Sequence, residues 1–485
     1  VSVLAIDAGT TGVTALAVEV DGTVSARGYR EFAQHFPAPG QVEHEPEQIW
    51  QALLAATADC LAGARTAPTC LGLTNQRETA VLWRRENLSA PRPAIVWQDR
   101  RTAALCEELR TAGHEPLVTA LTGLRLDPYF TGTKLAWLAA HDPAWDGVRA
   151  GETVVGTVDS YVVARLTAGA RHVTDASNAS RTLLYDIRGG AWSPPLLELF
   201  AVPAEALPAV VDSSGVCGRT DPLAFLGLEL PIAGIAGDQQ AALFGQACFD
   251  VGMSKCTYGT GSFLLVNTGP TAQTSGRGLL TTVAWRIDGV STYALEGSVF
   301  VTGAAVQWLR DGLGLIPSSP DVEELAASVP DAGGVVFVPA LTGLGAPDWD
   351  PSARGAILGL TRGTTSAHLA RATLEAIAYE VRDVADALPV PVSTLTVDGG
   401  AAGNDLLCAL QADQLGVPVR RPQVLETTAL GAAFLAGLAT GVWPDTDALR
   451  ATWRLEREFA PTPGVRSGGG HARWREGVAR AKGWA

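Results

Sequence analysis

Twice along this chain a short apolar strand runs into a Gly–Thr turn and out into a second strand. Residues 1–6, 7–12 (DAGTTG) and 13–20 form the first unit; 254–258, 259–261 (GTG) and 262–267 form the second. One supersecondary pattern returning in the second half predicts two related domains. The match is short, and two unrelated hairpins stay open on this ground alone. The length of 485 residues also asks for more than one domain. The boundary is expected at 247/248, giving domains 1–247 and 248–485.

Between and around these units strands alternate with helices. Residues 45–61 carry Ile49, Trp50, Leu53, Leu54 and Leu61 at helical spacing, with Pro46 in the first turn. A strand is expected at 70–74, another at 230–236, and a helix over 240–249 after the turn at Asp238. Further on come a helix from Gly303, a long amphipathic helix over 366–388, a strand at 395–397, and a helix over 404–415. The class is therefore α/β.

A hydrophobic content of 47% with 18% charged residues excludes large-scale disorder. The net charge of −14 argues against a nucleic-acid partner. It does not argue against a phosphate ligand, which backbone amides and Mg²⁺ can hold. The seven cysteines are dispersed, with no C-x-x-C, and read as reduced thiols. The uncharged run 427–444 is rich in Gly, Ala and Thr, which predicts a tight buried helix rather than a membrane span. Residues 1–6 lead straight into an acidic turn without the pattern of a secretory leader, so a cytoplasmic protein is expected.

The DAGTTG turn lacks the lysine of a Walker loop, but its chemistry suits a triphosphate. Gly9 and Gly12 open the backbone, Thr10 and Thr11 add hydroxyls, and Asp7 can hold Mg²⁺. A plain hairpin is the alternative, as it is for 259–261. The segment 398–404 (DGGAAGN) joins a strand to a helix and could let a base or ribose lie on its backbone. Asp238 stands between apolar stretches, where a carboxylate needs a partner. It is either a base for a substrate hydroxyl or a helix N-cap. Arg77-Glu78 pairs a donor with an acceptor at a strand end, which suits a polyol, or a salt bridge. Trp97 and Tyr129-Phe130 could wall the carbon side of such a ligand or belong to a core.

Taken together these segments resemble the FGGY family of carbohydrate kinases, most closely its glycerol-phosphorylating members. The resemblance runs along nearly the whole chain. It is carried by 75–79 (NQRET), 94–98 (AIVWQ), 127–134 (DPYFTGTK), 156–159 (GTVD), 234–245 (GIAGDQQAALFG), 257–261 (TYGTG), 294–300 (ALEGSVF), 307–311 (QWLRD), 339–347 (PALTGLGAP) and 398–401 (DGGA). It implies two ribonuclease H-like domains of the actin/hexokinase type around a cleft. It also implies transfer of the ATP γ-phosphoryl group to glycerol, giving sn-glycerol 3-phosphate.

By the same resemblance Arg77, Glu78, Trp97, Tyr129, Asp238, Gln239 and Phe263 form the glycerol pocket, with Asp238 as general base. Thr10, Thr11, Gly12 and Thr260 meet the phosphates, and Gly303, Gln307, Gly400 and Asn404 meet the nucleotide. Asp7 and Asp238 anchor Mg²⁺. A homodimer or homotetramer is the expected assembly, with no membrane span. Other sugar kinases of the family, acting on xylulose, gluconate or erythritol, are the nearest alternative. A nucleotide-switched binding protein of the same superfamily is the more distant one.

The sequence also departs from the family pattern. Thr14 stands where many such kinases have an arginine near the phosphates, and Ala8 where they often have glutamine. Residues 221–230 (DPLAFLGLEL) replace the basic loop that binds fructose 1,6-bisphosphate in enteric forms, with Glu229 in place of an arginine. The same stretch has no histidine for phosphohistidine control. Residues 466–475 are Gly-rich and diverge, leaving inhibition by a phosphotransferase protein without support.

Overall fold

The computed structural model describes residues 1–389 and 391–484. In the first half, strand Ser2–Ala8 pairs antiparallel with Gly12–Glu19 and parallel with Pro68–Asn75. Val24–Glu31 extends this sheet on the hairpin side, and Pro231–Gly237 extends it in parallel on the other. The second half repeats the arrangement. Ser254–Tyr258 pairs antiparallel with Ser262–Gly269 and parallel with Leu395–Asp398. Val290–Val299 and Val419–Pro422 take the two outer places. The same strand order and the same strand sense recur, so the repeated hairpins head two copies of one sheet.

The copies meet edge to edge. Ser214 on strand Ser214–Arg219 pairs with Ile287 on strand Leu280–Ile287, which joins both sheets into one of 13 strands. Each half has its own core, and a third core lies between them. There Leu16, Phe244, Leu265 and Phe434 pack together, drawn from both sheets and from helices Asp238–Gly245 and Thr427–Ala439.

These two helices cross at glycines because nothing larger fits. A Cβ on Gly431 would lie 1.8 Å from the Ala241 carbonyl oxygen, and one on Gly245 2.1 Å from that of Thr427. The uncharged run is thus the tightly packed helix its composition predicts, buried along most of its length. Among the described residues no helix is long and apolar enough to cross a membrane.

The remaining predicted elements appear with small shifts at their ends, as helices Pro46–Gly63, Gly303–Asp311, Ser366–Asp386 and Asp405–Leu415. The helix after residue 238 is shorter than the sequence suggests. It stops at Gly245, and Ala247 follows at φ 53°.

Candidate active site

Strand Pro68–Asn75 ends at a buried polar segment. Arg77 follows, then Glu78 at φ 61°, a left-handed conformation that costs about 1–3 kcal/mol outside glycine and turns the chain sharply. The neighbouring parallel strand Pro231–Gly237 ends alongside, and Asp238 opens the next helix. Two parallel strands thus deliver Arg77 and Asp238 to the same sheet edge, the usual place for chemistry in an α/β fold. Asp238 is not a helix cap. Gly237 holds that position, and Asp238 Oδ1 accepts from the Gln239 N–H at 2.7 Å.

Arg77 is almost entirely committed to the protein. Its Nη1 donates to Glu296 Oε2 at 2.6 Å and to Gln240 Oε1 at 3.3 Å. Its Nη2 donates to Glu296 Oε1 at 3.0 Å and to the Tyr129 hydroxyl at 3.2 Å. Only the Nε edge is left, and it faces Asp238 Oδ1 at 3.1 Å. A second arginine, Arg181, donates from Nε to Glu78 Oε1 at 2.7 Å and from Nη2 to Glu296 Oε1 at 3.1 Å. Arg77 and Glu78 are therefore not chiefly each other's partners; their closest approach is 3.8 Å.

Burial pushes the Glu296 carboxyl up, but Arg181 and Arg77 outweigh it and hold it down at about 2. Burial raises Asp238 above the ordinary carboxylate range, against the opposing pull of Arg77 and Lys255. Its side chain still keeps 27% of its surface exposed.

Three aromatic rings close over this polar edge. Trp97 lies edge-on to Tyr129 at 5.6 Å and to Phe263 at 6.3 Å between ring centres. Phe263 comes from the second half and also faces the Arg77 guanidinium at 5.9 Å. All seven residues read as a polyol pocket are thus close together. Gln239 joins through its sequence neighbour Asp238 and accepts from Lys255 Nζ.

Both Gly–Thr turns lie next to pocket residues, the first through the Trp97–Thr10 hydrogen bond and the second through Phe263, which pairs with Thr257. In the first, Gln76 Nε2 donates to the Gly9 carbonyl and Gln34 Nε2 to that of Thr10, both at 3.0 Å. Thr11 is exposed. Gly12 is required by its own sheet, since a Cβ would meet the Arg30 carbonyl oxygen at 2.6 Å. In the second turn Gly303 N donates to the Gly259 carbonyl at 3.0 Å, and Ala304 N to that of Thr260 at 3.2 Å.

A Cβ on Gly399 would lie 2.6 Å from the Tyr258 carbonyl oxygen, so this third Gly-rich turn abuts the second. Gly400 faces open space there. Gln307 is exposed on the helix that Gly303 begins. Asn404 caps the following helix instead of standing free, its Oδ1 accepting from Leu407 N at 2.8 Å. A cleft of about 1450 Å³ opens between the halves, bordered by Trp97 from the first and by Thr260, Phe300 and Ala304 from the second.

Asp7 meets the requirement for a cation. Its Oδ1 is shut from solvent and lacks any hydrogen-bond partner. Burial, then the nearby Asp238 carboxylate, push its pKa up to about 7. A divalent ion would relieve both. Among the described residues no three His, Cys, Asp or Glu side chains converge on one point. Mg²⁺ commonly takes one or two carboxylates and fills its other positions with phosphate and water, so a lone buried carboxylate such as Asp7 fits it.

Arg181, Glu296 and Lys255 escaped the sequence reading. Glu296 and Lys255 did leave a signal. Each is the one charge in an otherwise uncharged strand, the kind of anomaly that singled out Asp238. Arg181 left none, since its loop carries no pattern.

A duplicated α/β core with a Gly–Thr turn in each half, beside a walled pocket offering a donor and a carboxylate, fits a phosphotransferase for a hydroxyl compound. The chain belongs to the FGGY family of carbohydrate kinases. Residues 2–245 match that family's N-terminal domain and residues 254–440 its C-terminal domain. Glycerol kinase of Aromatoleum aromaticum is 56% identical over 494 residues, covering 99% of both chains. Glycerol kinase of Trichlorobacter lovleyi is 54% identical, covering 100% of this chain and 99% of its own. Among solved structures, glycerol kinase of Plasmodium falciparum with ADP superposes with a TM-score of 0.89. Its identity is 31%, and the match covers 99% of this chain and 98% of that one.

Proposed function

We propose that this kinase phosphorylates glycerol with MgATP, giving sn-glycerol 3-phosphate and ADP. The observation that carries the reading is the free edge of the pocket. With both Nη groups of Arg77 held by Glu296, Gln240 and Tyr129, one Nε–H donor remains beside one carboxylate. A hydroxyl needs one donor and one acceptor, and the aromatic wall of Trp97, Tyr129 and Phe263 leaves room for few carbons behind it.

The mechanism follows from this placement. Arg77, Glu78 and Gln239 hold the hydroxyls of the triol through directed hydrogen bonds, and the aromatic rings exclude water. Asp238 takes the proton of the attacking hydroxyl as its oxygen bonds to the γ-phosphorus and the bond to the ADP oxygen breaks. The raised pKa of Asp238 makes it a better proton acceptor than an ordinary aspartate. Thr10, Thr11 and Thr260 offer hydroxyls to the phosphate chain. Gly303, Gln307 and Gly400 border the nucleoside, and Asn404 adds its amide while its oxygen caps a helix. Asp7, with Asp238, would hold Mg²⁺, which offsets phosphate charge when bound. Positioning and electrostatics are the main levers in such a transfer.

All seven cysteines are buried and unpaired, as expected in the cytoplasm. A homodimer or homotetramer remains the assembly we expect, and light scattering measures it. The test of function is coupled ADP release over glycerol, erythritol, xylulose and gluconate. Glycerol is expected to turn over fastest by a wide margin. Equal rates on glycerol and xylulose would defeat the narrow assignment, and ATP turnover independent of any polyol would defeat the kinase reading itself.

A further inference from the structure

Lys255 and Glu296 stand in one cross-strand row. Both pair opposite Leu265, Lys255 on strand Ser254–Tyr258 and Glu296 on strand Val290–Val299. Residues directly opposite one another share a face, so the two charges leave the same side of the second-half sheet, one on each flank of a leucine. Both are completely buried. Leu265 lies in the core shared with Leu243 and Phe244 of helix Asp238–Gly245, so this face looks toward the helix that Asp238 begins.

Each charge reaches across the boundary to one neighbour of Asp238. Lys255 Nζ donates to Gln239 Oε1, the side chain next to Asp238 in sequence. Glu296 grips both Nη groups of Arg77, at 2.6 and 3.0 Å, leaving the Nε edge turned to Asp238. Lys255 Nζ also donates to Thr257 Oγ1 at 2.7 Å, on the strand that enters the second Gly–Thr turn. One row of the sheet therefore touches both flanks of the candidate base and the approach to a phosphate turn.

We propose that Lys255 and Glu296 are positioning residues, a two-point clamp of opposite charge. Supplied by the second half of the chain, it fixes Asp238 through Gln239 and Arg77. The proposal rests on the reading of Asp238 as general base for a bound polyol. Stability alone does not account for the arrangement, since apolar residues of similar volume often replace a buried ion pair without loss. What apolar residues cannot do is hold a guanidinium by its two terminal nitrogens and present the third. The clamp also explains how a pocket built mostly from the first half stays in register with the Gly–Thr turn of the second.

The test is a pair of mutant cycles read in kcat/KM for the polyol, with KM for ATP measured in parallel. Glu296→Gln is expected to lower kcat/KM for glycerol by about 10- to 100-fold, the scale of a small misplacement of a reacting group. KM for ATP should stay within about twofold. The double variant Arg77→Gln/Glu296→Gln should be no worse than Arg77→Gln alone, because Glu296 acts through Arg77. Lys255→Met should behave likewise through Gln239, and add nothing to Gln239→Ala.

Glu296→Asp serves as the second variant. It keeps the charge and draws the carboxylate back by one methylene, and the same loss confined to the polyol is expected. ADP binding by calorimetry shows that each variant is folded. Near-normal kcat/KM in Glu296→Asp, losses that multiply in the doubles, or a KM for ATP that rises in step would overturn the clamp. Failure of the unaltered chain to turn over glycerol would instead defeat the functional reading. The cycles are then run on whichever polyol the panel returns, under the same criteria.

Discussion

Trp97 donates its indole N–H to Thr10 Oγ1 at 3.0 Å, which joins the aromatic wall to the first Gly–Thr turn. In the function proposed above, one side chain thus touches the places of both reactants. Trp97→Phe keeps a ring in the wall and removes the bridge. A net hydrogen bond is worth about 0.5–1.5 kcal/mol, so kcat/KM should fall by about 2- to 12-fold. Thr10→Val removes the same bond from its other end, and the double variant should lose little more than the worse single one. Steady-state kinetics on the three variants check this, and multiplied losses would show that the bridge couples nothing.

Asp238→Asn keeps the size of the side chain and its bond from the Gln239 N–H, and removes proton acceptance. Turnover should fall by about 10²- to 10⁴-fold, the usual worth of a positioned acid or base. The affinity for glycerol should change far less, because Arg77 stays anchored to Glu296 from behind. Single-turnover rates with glycerol affinity by calorimetry separate the two quantities. A variant with near-normal turnover would remove Asp238 from the chemistry.

His44 ties acid stability to the same turn. Gln76 Oε1 accepts from Thr79, and Gln76 Nε2 donates to Gly9, so the His44 Nδ1 that meets Nε2 at 3.3 Å must accept. Protonation would set a donor against a donor. Burial, then the nearby His35, push the His44 pKa down to about 4 from the usual 6.5. The folded state therefore binds fewer protons than the unfolded chain between those values. Stability is complete above about 6.5 and drains away as pH falls toward 4, by at most about 3 kcal/mol for this ring. From pH 7 through 5.5 to 4.5 the urea midpoint of the unaltered chain should fall relative to that of His44→Gln, because groups such as Asp7, whose raised pKa works in the opposite sense, are common to both. An unchanged slope in the variant would clear His44 of the effect.

The repeat of strand, turn and strand was legible because it depends on local patterns, namely glycine in the turns and apolar alternation in the strands. Helices were legible wherever one face is apolar. The end of the helix begun by Asp238 was not, since it stops where helix Thr427–Ala439 crosses it, far away in sequence. The same limit governs the site. Arg77, Asp238 and the aromatic wall each sit in a dense motif, whereas Arg181 contributes through a contact with Glu78, 103 residues away in sequence. Asn404 shows the opposite case. Its motif suggested a ligand contact, while the local geometry also gives it the work of a cap.

Residues 221–230, where the resemblance implies a basic effector loop in other family members, carry a paired charge and an exposed apolar side chain instead. Glu229 pairs with Arg219 at 3.0 Å on an open surface, and Leu223 in the same loop is 99% exposed. The Glu229 carboxylate takes up the charge of Arg219, and Leu223 offers no donor, so the loop has little with which to hold a bisphosphate. Millimolar fructose 1,6-bisphosphate should leave the initial rate unchanged within error, with inorganic phosphate at equal ionic strength as control. Saturable inhibition would mean that a different surface takes up the role.

Gly431 carries the last consequence, because it lies behind the helix that begins with Asp238. A Cβ at Gly431 would fall 1.8 Å from the carbonyl oxygen of Ala241, and backbone cannot move aside as a flexible side chain can. Gly431→Ala must therefore push helix Asp238–Gly245 away from helix Thr427–Ala439. Overpacking of this kind costs about 1–3 kcal/mol, which a thermal or urea melt resolves. The displacement also reaches the first turn of the helix, where Asp238 faces Arg77. Turnover should consequently fall by more than the loss of folded protein explains, while Gly441→Ala serves as a stability control with open space around its Cβ at φ 74°. If both variants lose stability and keep the turnover of their folded fraction, the helix crossing is only a structural contact and does not govern the placement of Asp238.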